Sequence, residues 1–486
     1  MEDKKTLKKN LWMFPLGTVG RDMLYNLVTN FLFTYILFTK GLTGSQLAAI
    51  TAIMVAARVF DALNDPLMGN IIEGTHTRWG KFKPWLVIGM VLTSIVVIMV
   101  FSTDLKGWDF VILFGVFYFA YSIAYTMHDI AYWGMVPALS SDAGARDQIT
   151  SRATLCAGIG GTLASIVIPM VTTGNGTIGG NANTAYAVVA IAVSILAPAF
   201  LCFTFFGANE RRETEKPQKS EGGLKKIFRT IMSNDQLRWI AVIFLIQQIG
   251  NGLIVGGIGS TYIYLQYGYE GGLYSLFTTV GMSATAFLMI FYPAISRRMN
   301  RKSLMNIMAV IAVVGYALLI LSRMIPSIGF VLLVIGYMLS NFGQYCYYLV
   351  MMISIINTVE YNEYKNGSRD EAIIASVRPF MTKLSGAIIA VITSASYMIF
   401  GVTHYTNQIS ELESSAASGA ITEAEKLTAI EGVLSGVDLG QSLGLLLCMT
   451  ILPCALMLLS NFLYQKKYKL DETEYARICK ELEERK

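Results

Sequence analysis

Charge is what this chain has least of. Asp, Glu, Lys and Arg together make up 15% of its 486 residues, against about a quarter in an ordinary soluble protein. Histidine is scarcer still: His76, His128 and His404 are the only three, too scattered to suggest a metal site. The six cysteines (Cys156, Cys202, Cys346, Cys448, Cys454 and Cys479) show no C-x-x-C spacing, and five lie in apolar segments. They read as small packing residues, not as a disulfide framework or a zinc site. No metal motif, nucleophile elbow or phosphate loop appears, so an enzyme is not expected. A cleavable leader is not expected either. The first apolar run, from about Leu11, is interrupted by Arg21 and Asp22, unlike the apolar core of a signal peptide.

What is present is apolar sequence, 54% of the chain. Runs long enough to cross a bilayer, about 20 residues each, recur from end to end. They fall at about 11–39, 45–72, 84–103, 108–138, 149–173, 184–207, 237–264, 271–295, 303–322, 326–357, 371–401 and 437–464. The expectation is an all-α membrane protein of twelve transmembrane helices. The polar, basic stretch 208–236 splits them six and six, which is the layout of the major facilitator fold, two six-helix halves around a central cavity. The halves are 1–207 and 237–464, joined by a cytoplasmic linker (208–236) and followed by a tail (465–486).

Lys and Arg sort by side. With the N-terminus taken as cytoplasmic, inner segments hold 28 of the 38 basic residues and outer segments only 4. That bias fits a multi-pass protein of the cell membrane with both termini in the cytoplasm. The outer loop 402–436 reads as a polar, partly helical surface cap, and the tail from Gln465 as a solvated cytoplasmic helix.

The scarce charges inside the spans are the informative ones, since each costs about 2.5–3.5 kcal/mol on insertion scales. Arg58, Asp61 and Asp65 follow i, i+3, i+7 spacing on the second span, within about 60° of one helical face. Asn64 flanks that face. Two carboxylates and an amide oxygen are hard ligands, suited to Na⁺ or H⁺. On the fourth span Tyr125, Asp129 and Trp133 share a face, with Thr126 one step round. A carboxylate beside an aromatic plane is a common way to hold a sugar. Arg21 and Asp22 are adjacent on the first span and point about 100° apart, so no simple local pair is expected. Arg152 opens the fifth span, and Arg378 and Lys383 lie in the eleventh.

The tract DALNDPLMGNIIEGTHTRWGKFKPW, the GRD of the first span, YTMHDIAYWGMVPAL followed by RDQITSR, and VEYNEYKNGSRDEA with Lys383 occur in order across both halves. Together they resemble the glycoside–pentoside–hexuronide:cation symporters of the major facilitator superfamily. The resemblance implies sugar uptake coupled to Na⁺ or H⁺ by alternating access. It makes Asp61 and Asp65 the cation carboxylates, with Asn64 and Thr126 as supporting oxygens. Asp22 and Asp129 accept hydrogen bonds from sugar hydroxyls, Trp133 stacks beside Tyr125, and Arg21 and Arg152 donate. Arg58 and Lys383 balance charge. Glu73, Arg78 and Lys81, in the loop after the second span, lock the cytoplasmic ends. The sequence departs from the family pattern at Arg21, at Tyr348 and at Arg378. Arg378 raises the prospect of a carboxylated sugar, or of a structural pair with a protein acid. The implied partners are a small sugar, a monovalent cation and the lipid bilayer, with no nucleic acid and a monomer as the working unit; no cofactor is implied beyond the coupling cation. Two alternatives are an amphiphile such as a lysolipid as cargo, and a membrane sensor that transports nothing.

Overall fold

The computed structural model describes residues 4–140, 142–210, 224–296 and 298–484. Among these the backbone is helical and no strand forms. A bilayer offers no water to backbone amides, so a spanning chain must close its hydrogen bonds internally. Helix α1 (Lys4–Asn26) runs through a π-helical turn (Leu27–Phe31) into α2 (Leu32–Thr39). There follow α3 (Gly44–Glu73), α4 (Lys83–Phe101), α5 (Gly107–Leu139), α6 (Ala143–Thr172), α7 (Ala182–Gly207) and a short α8 (Leu224–Ser233). Next, α9 (Asp235–Leu253) passes through a second π-helical turn (Ile254–Ile258) into α10 (Gly259–Tyr267). The chain continues as α11 (Gly271–Ser296), α12 (Arg301–Met324), α13 (Gly329–Ile356), α14 (Thr358–Asn366) and α15 (Glu371–Ile399). It ends in α16 (Thr403–Ala417), α17 (Glu423–Ser435), α18 (Leu439–Lys467) and α19 (Glu472–Glu484). Nine helical segments among the described residues are long and apolar enough to cross a membrane. The expected spans at 11–39, 45–72 and 271–295 are helical as well. Most of the expected linker, residues 211–223, lies outside the described residues.

Local sequence explains where helices begin. Thr43 and Gln46 form a reciprocal capping box at the start of α3. The side chains of Asn181, Asn234 and Asn300 accept from Thr184 N, Leu237 N and Ser303 N, opening α7, α9 and α12.

The chain forms two compact units. The first comprises Met1–Gln218, Ile263–Ser275 and Tyr397–Asp438; the second comprises Lys219–Tyr262, Leu276–Ser396 and Leu439–Lys486. In the first, α1 packs on α6 and α7, α4 on α5 and α7, and α3 along α5. A Cβ on Gly160 would lie 2.1 Å from Val19 O, so only glycine lets α6 approach α1 this closely. Such small-residue contacts replace the hydrophobic drive that lipid removes. In the second unit α12 packs along α13, where Gly315 and Gly336 face each other.

The outer segment is more structured than a surface loop. α16 and α17 fold as a hairpin in the first unit, with Glu413 and Lys426 fully buried. The tail also departs from expectation. It is helical, but α19 buries Ile478 and Leu482, and Tyr468 and Leu470 before it are sealed from solvent. Arg301 Nε donates to Glu472 at 3.0 Å, and Tyr468 to Ser354 O at 2.8 Å. Its apolar residues recur on one helical face, and that face has a docking surface on the second unit.

Candidate functional site

The site candidates of the first unit converge on α1, α3 and α5. These helices bring charged groups together within runs where apolar residues dominate on either side. Arg21 lies at the heart of one group. Its guanidinium donates to Asp22 at 2.8–2.9 Å and to Asp129 Oδ1 at 3.2 Å. It is buried, 5.0 Å from the Tyr132 ring centre and 5.3 Å from that of Trp133. The expectation that Arg21 and Asp22 make no local pair is therefore corrected. The Cα–Cβ directions diverge, but the arginine stem is long enough to fold back onto its neighbour. Two carboxylates share one guanidinium, so one negative charge is left over. Asp129 is the more open acid, with 37% of its side chain accessible against 18% for Asp22. Tyr125 stacks between Tyr25 and Tyr121, with ring centres 5.1 and 5.7 Å away.

The second group bridges α3 and α5. Asp61 is only 3% exposed. One of its oxygens accepts from Arg58 at 3.5 Å and the other from the Ser122 hydroxyl. One turn further on, Thr126 donates to Asp65 Oδ1 at 3.1 Å. The two rungs join residues separated by the same 61 positions, so α3 and α5 run parallel here and rise together. Asn64 lies beside them, its buried Nδ2 without a protein partner. Thr126 and Asp129 are one turn apart on α5, so the rungs and the Arg21 group are neighbours on one helix.

Ser122 is a residue the sequence reading missed. A signal existed: Ser122 and Thr126 repeat at i, i+4 as do Asp61 and Asp65. A lone serine costs little in a span, so nothing draws attention to it.

Other expected site residues lie elsewhere. Arg152 donates to Leu11 O at 3.3 Å and covers the Trp12 ring at 4.5 Å. Its contacts are thus near the start of α1, more than two turns from Arg21. In the second unit, Arg378 donates to the Tyr348 hydroxyl at 3.3 Å, and Tyr348 packs near Phe244. Lys383 is on α15, in the same unit.

The loop after α3 also holds a surprise. Arg78 lies over Trp79 and Lys81 over Phe82, while Glu73 is exposed at the end of α3. The tightest interaction there uses backbone instead. Glu210, just beyond α7, accepts from the amides of Lys81 (2.8 Å), Lys83 (3.1 Å) and Phe82 (3.3 Å). These amides form a concave anion nest at the start of α4, where a helix dipole also favours a carboxylate. Gly80 makes room with φ +112°, a Cβ there falling 2.4 Å from Glu210. The sequence around it also carries Glu213, Glu215 and Glu221, so nothing there singles out Glu210.

Residues 13–472 match the family described as MFS/sugar transport protein. The chain belongs to that family. It is a multi-pass membrane transporter of the major facilitator superfamily, not an enzyme. Among similar proteins, the lactose permease of Lactobacillus helveticus is 27% identical, covering 96% of this chain and 71% of the relative. The raffinose carrier protein of Pediococcus pentosaceus is 26% identical over 97% of this chain and 71% of its own length. The glucuronide carrier protein homolog of Escherichia coli (strain K12) is 24% identical, covering 97% and 95%. Solved structures share the fold at low identity. A bacterial homologue of the lysosomal transporter Spinster, inward-facing and unoccupied, gives a TM-score of 0.62 at 12% identity, covering 95% of this chain and 98% of that one. A D-xylose–proton symporter gives 0.58 at 12%, covering 90% and 99%.

Proposed function

We propose that this transporter is a secondary active symporter that couples entry of Na⁺ or H⁺ to uptake of a sugar by alternating access. One observation carries the reading: the Asp61–Ser122 and Asp65–Thr126 rungs stand one turn from the Arg21–Asp22–Asp129 group. Excess negative charge lies next to a polar, aromatic-lined group suited to hydroxyls. The names of the relatives, permeases and carriers of lactose, raffinose and a glucuronide, support a glycoside, pentoside or hexuronide as cargo.

In this mechanism a cation enters at Asp61 and Asp65, helped by Asn64 and Thr126. It cancels the leftover charge that Arg58 alone does not balance, with Lys383 as a further counter-charge. The sugar then exchanges hydrogen bonds with Asp22, Asp129 and Arg21 and packs on Trp133 and Tyr125. Linkage requires each ligand to tighten the other's site equally. Empty and fully loaded carriers isomerise readily, whereas half-loaded ones do not. Arg378 and Tyr348 offer a cation and a hydroxyl for a carboxylated cargo, and Arg152 a further donor. Glu73, Arg78 and Lys81 act at the cytoplasmic end of the gate. The distribution of Lys and Arg supports cytoplasmic termini in the cell membrane, and the carrier works as a monomer with two six-helix halves, 1–207 and 237–464.

The test is counterflow in membrane vesicles with a panel of galactosides, pentosides and uronides, with and without Na⁺. Asp61→Asn and Asp65→Asn are expected to abolish cation-driven accumulation. Wild-type accumulation with intact coupling in either variant would overturn the cation assignment. Lysolipid movement without any sugar accumulation would favour an amphiphile carrier instead.

A further inference from the structure

The α16–α17 hairpin is built around two charges that no solvent reaches. Glu413 and Lys426 are each 0% exposed and pair at 3.3 Å. Each has a second partner in the turn before α7. Lys426 Nζ donates to Gly180 O at 2.8 Å, and Ala182 N donates to Glu413 Oε2 at 2.7 Å. The result is a closed ring: carbonyl, ammonium, carboxylate, amide. Ala182 is the first residue of α7, so the acid sits at the positive end of a long helix dipole. Burial raises the Glu413 carboxyl above its ordinary value, against the pull of Lys426. The surroundings that offset this cost come from the first unit.

Further links reach neighbouring turns. Gly176 N donates to Glu423 at 3.1 Å, Asn407 to Leu42 O at 3.0 Å, and Lys106 to Ser414 at 2.6 Å. Residues 42, 106 and 176–182 lie in turns at this end of the first unit, beside the 268–270 turn of the same unit, whose Tyr269 interacts with Glu413. By contrast, the hairpin's connections to α15 and α18 are short and non-helical. Gly401 has φ +66° on one side, and residues 436–438 leave the helix on the other.

We propose that the hairpin is a rigid cap that stays fixed to the first unit throughout the transport cycle, held by the Glu413–Lys426 ring. The segments 400–402 and 436–438 then act as joints that absorb the movement of α15 and α18. The cap is part of the moving body and not a lid that lifts from it. This rests on the alternating-access reading above.

Two experiments test it. In the first, K106C/S414C carrier is joined by a short bifunctional thiol reagent, with each single variant as control. Cross-linked carrier is expected to retain counterflow within about twofold of its untreated form. Loss of counterflow on cross-linking, restored by reduction, would overturn the fixed cap. Untreated carrier that moves no sugar would instead count against the symport reading. The second is independent of transport: E413K/K426E keeps the pair but sets an ammonium against Ala182 N and a carboxylate against Gly180 O. Protease cleavage within 403–435 is expected to accelerate at least tenfold, as in E413Q. Wild-type protection in the exchanged variant would show that the backbone ring does not hold the cap.

Discussion

Ser122 carries the sharpest residue-level prediction. Its hydroxyl fixes one oxygen of Asp61 while Arg58 holds the other, so the acid is oriented before any cation arrives. A hydrogen bond to a charged group is worth roughly 1.5–3 kcal/mol. Ser122→Ala is therefore expected to shift the cation concentration for half-maximal counterflow by about 10- to 100-fold, while Ser122→Thr stays within a few-fold. A cation titration of Ser122→Ala that overlays wild type would make Ser122 a bystander. Much at this scale was legible in the sequence. Asp61, Asp65 and Asp129 stand out because charge in an apolar run needs a reason. Ser122 and Glu210 were not, the first because a buried hydroxyl is cheap, the second because its partners are backbone amides. The Arg21–Asp22 pair escaped because helical angles describe where a side chain leaves the backbone, not where a long one ends.

At the level of elements, the helices themselves were readable and their interruptions were not. The run 11–39 reads as one span, yet it changes to a π-helical turn at Leu27–Phe31. The equivalent first span of the other half does the same at Ile254–Ile258, with Gly257 at φ +124°. Hydrophobicity reports what lies along a helix and is blind to a one-residue change in its hydrogen bonding. Such turns often mark functional positions. An alanine at 257 would be forced into a backbone region that costs about 1–3 kcal/mol. Gly257→Ala is expected to lower the melting temperature of the purified carrier by several degrees and to slow counterflow. An unchanged melting temperature and rate would show that the turn relaxes freely. The docked tail was hidden for a related reason: α19 is mostly charged, and the few apolar residues that seat it look sparse until its partner surface is known.

For the whole molecule, membrane insertion made the fold class legible, because lipid restricts a spanning chain to helices and sorts its basic residues by side. The hairpin's attachment was not legible, since Glu413 and Lys426 sit in a polar segment where charges are unremarkable. Stability also has a predictable pH response. Lys40, at the end of α2, is buried over the Tyr35 and Phe110 rings and donates to Thr103 O. Burial lowers its pKa to about 8 despite the opposing pull of Asp104, from the ordinary 10.5. Between these values the unfolded chain binds more protons than the folded one, so stability rises with pH across that window and is lost as pH falls through 8. Thermal-unfolding scans from pH 7.5 to 9.5 are expected to show this slope in wild type and a flatter one in Lys40→Met. Equal slopes would remove Lys40 as the cause.

The equal spacing of the two rungs between α3 and α5 has a mechanical meaning. Each acid meets its hydroxyl at the same offset, and the hydroxyls are one turn apart. If one helix advanced on the other by a single turn, about 5.4 Å, one acid would meet the neighbouring hydroxyl and only one rung would be lost. The pair works like two dowels in a joint: a single register seats both, and any slip of α3 on α5 unseats at least one carboxylate from its hydroxyl.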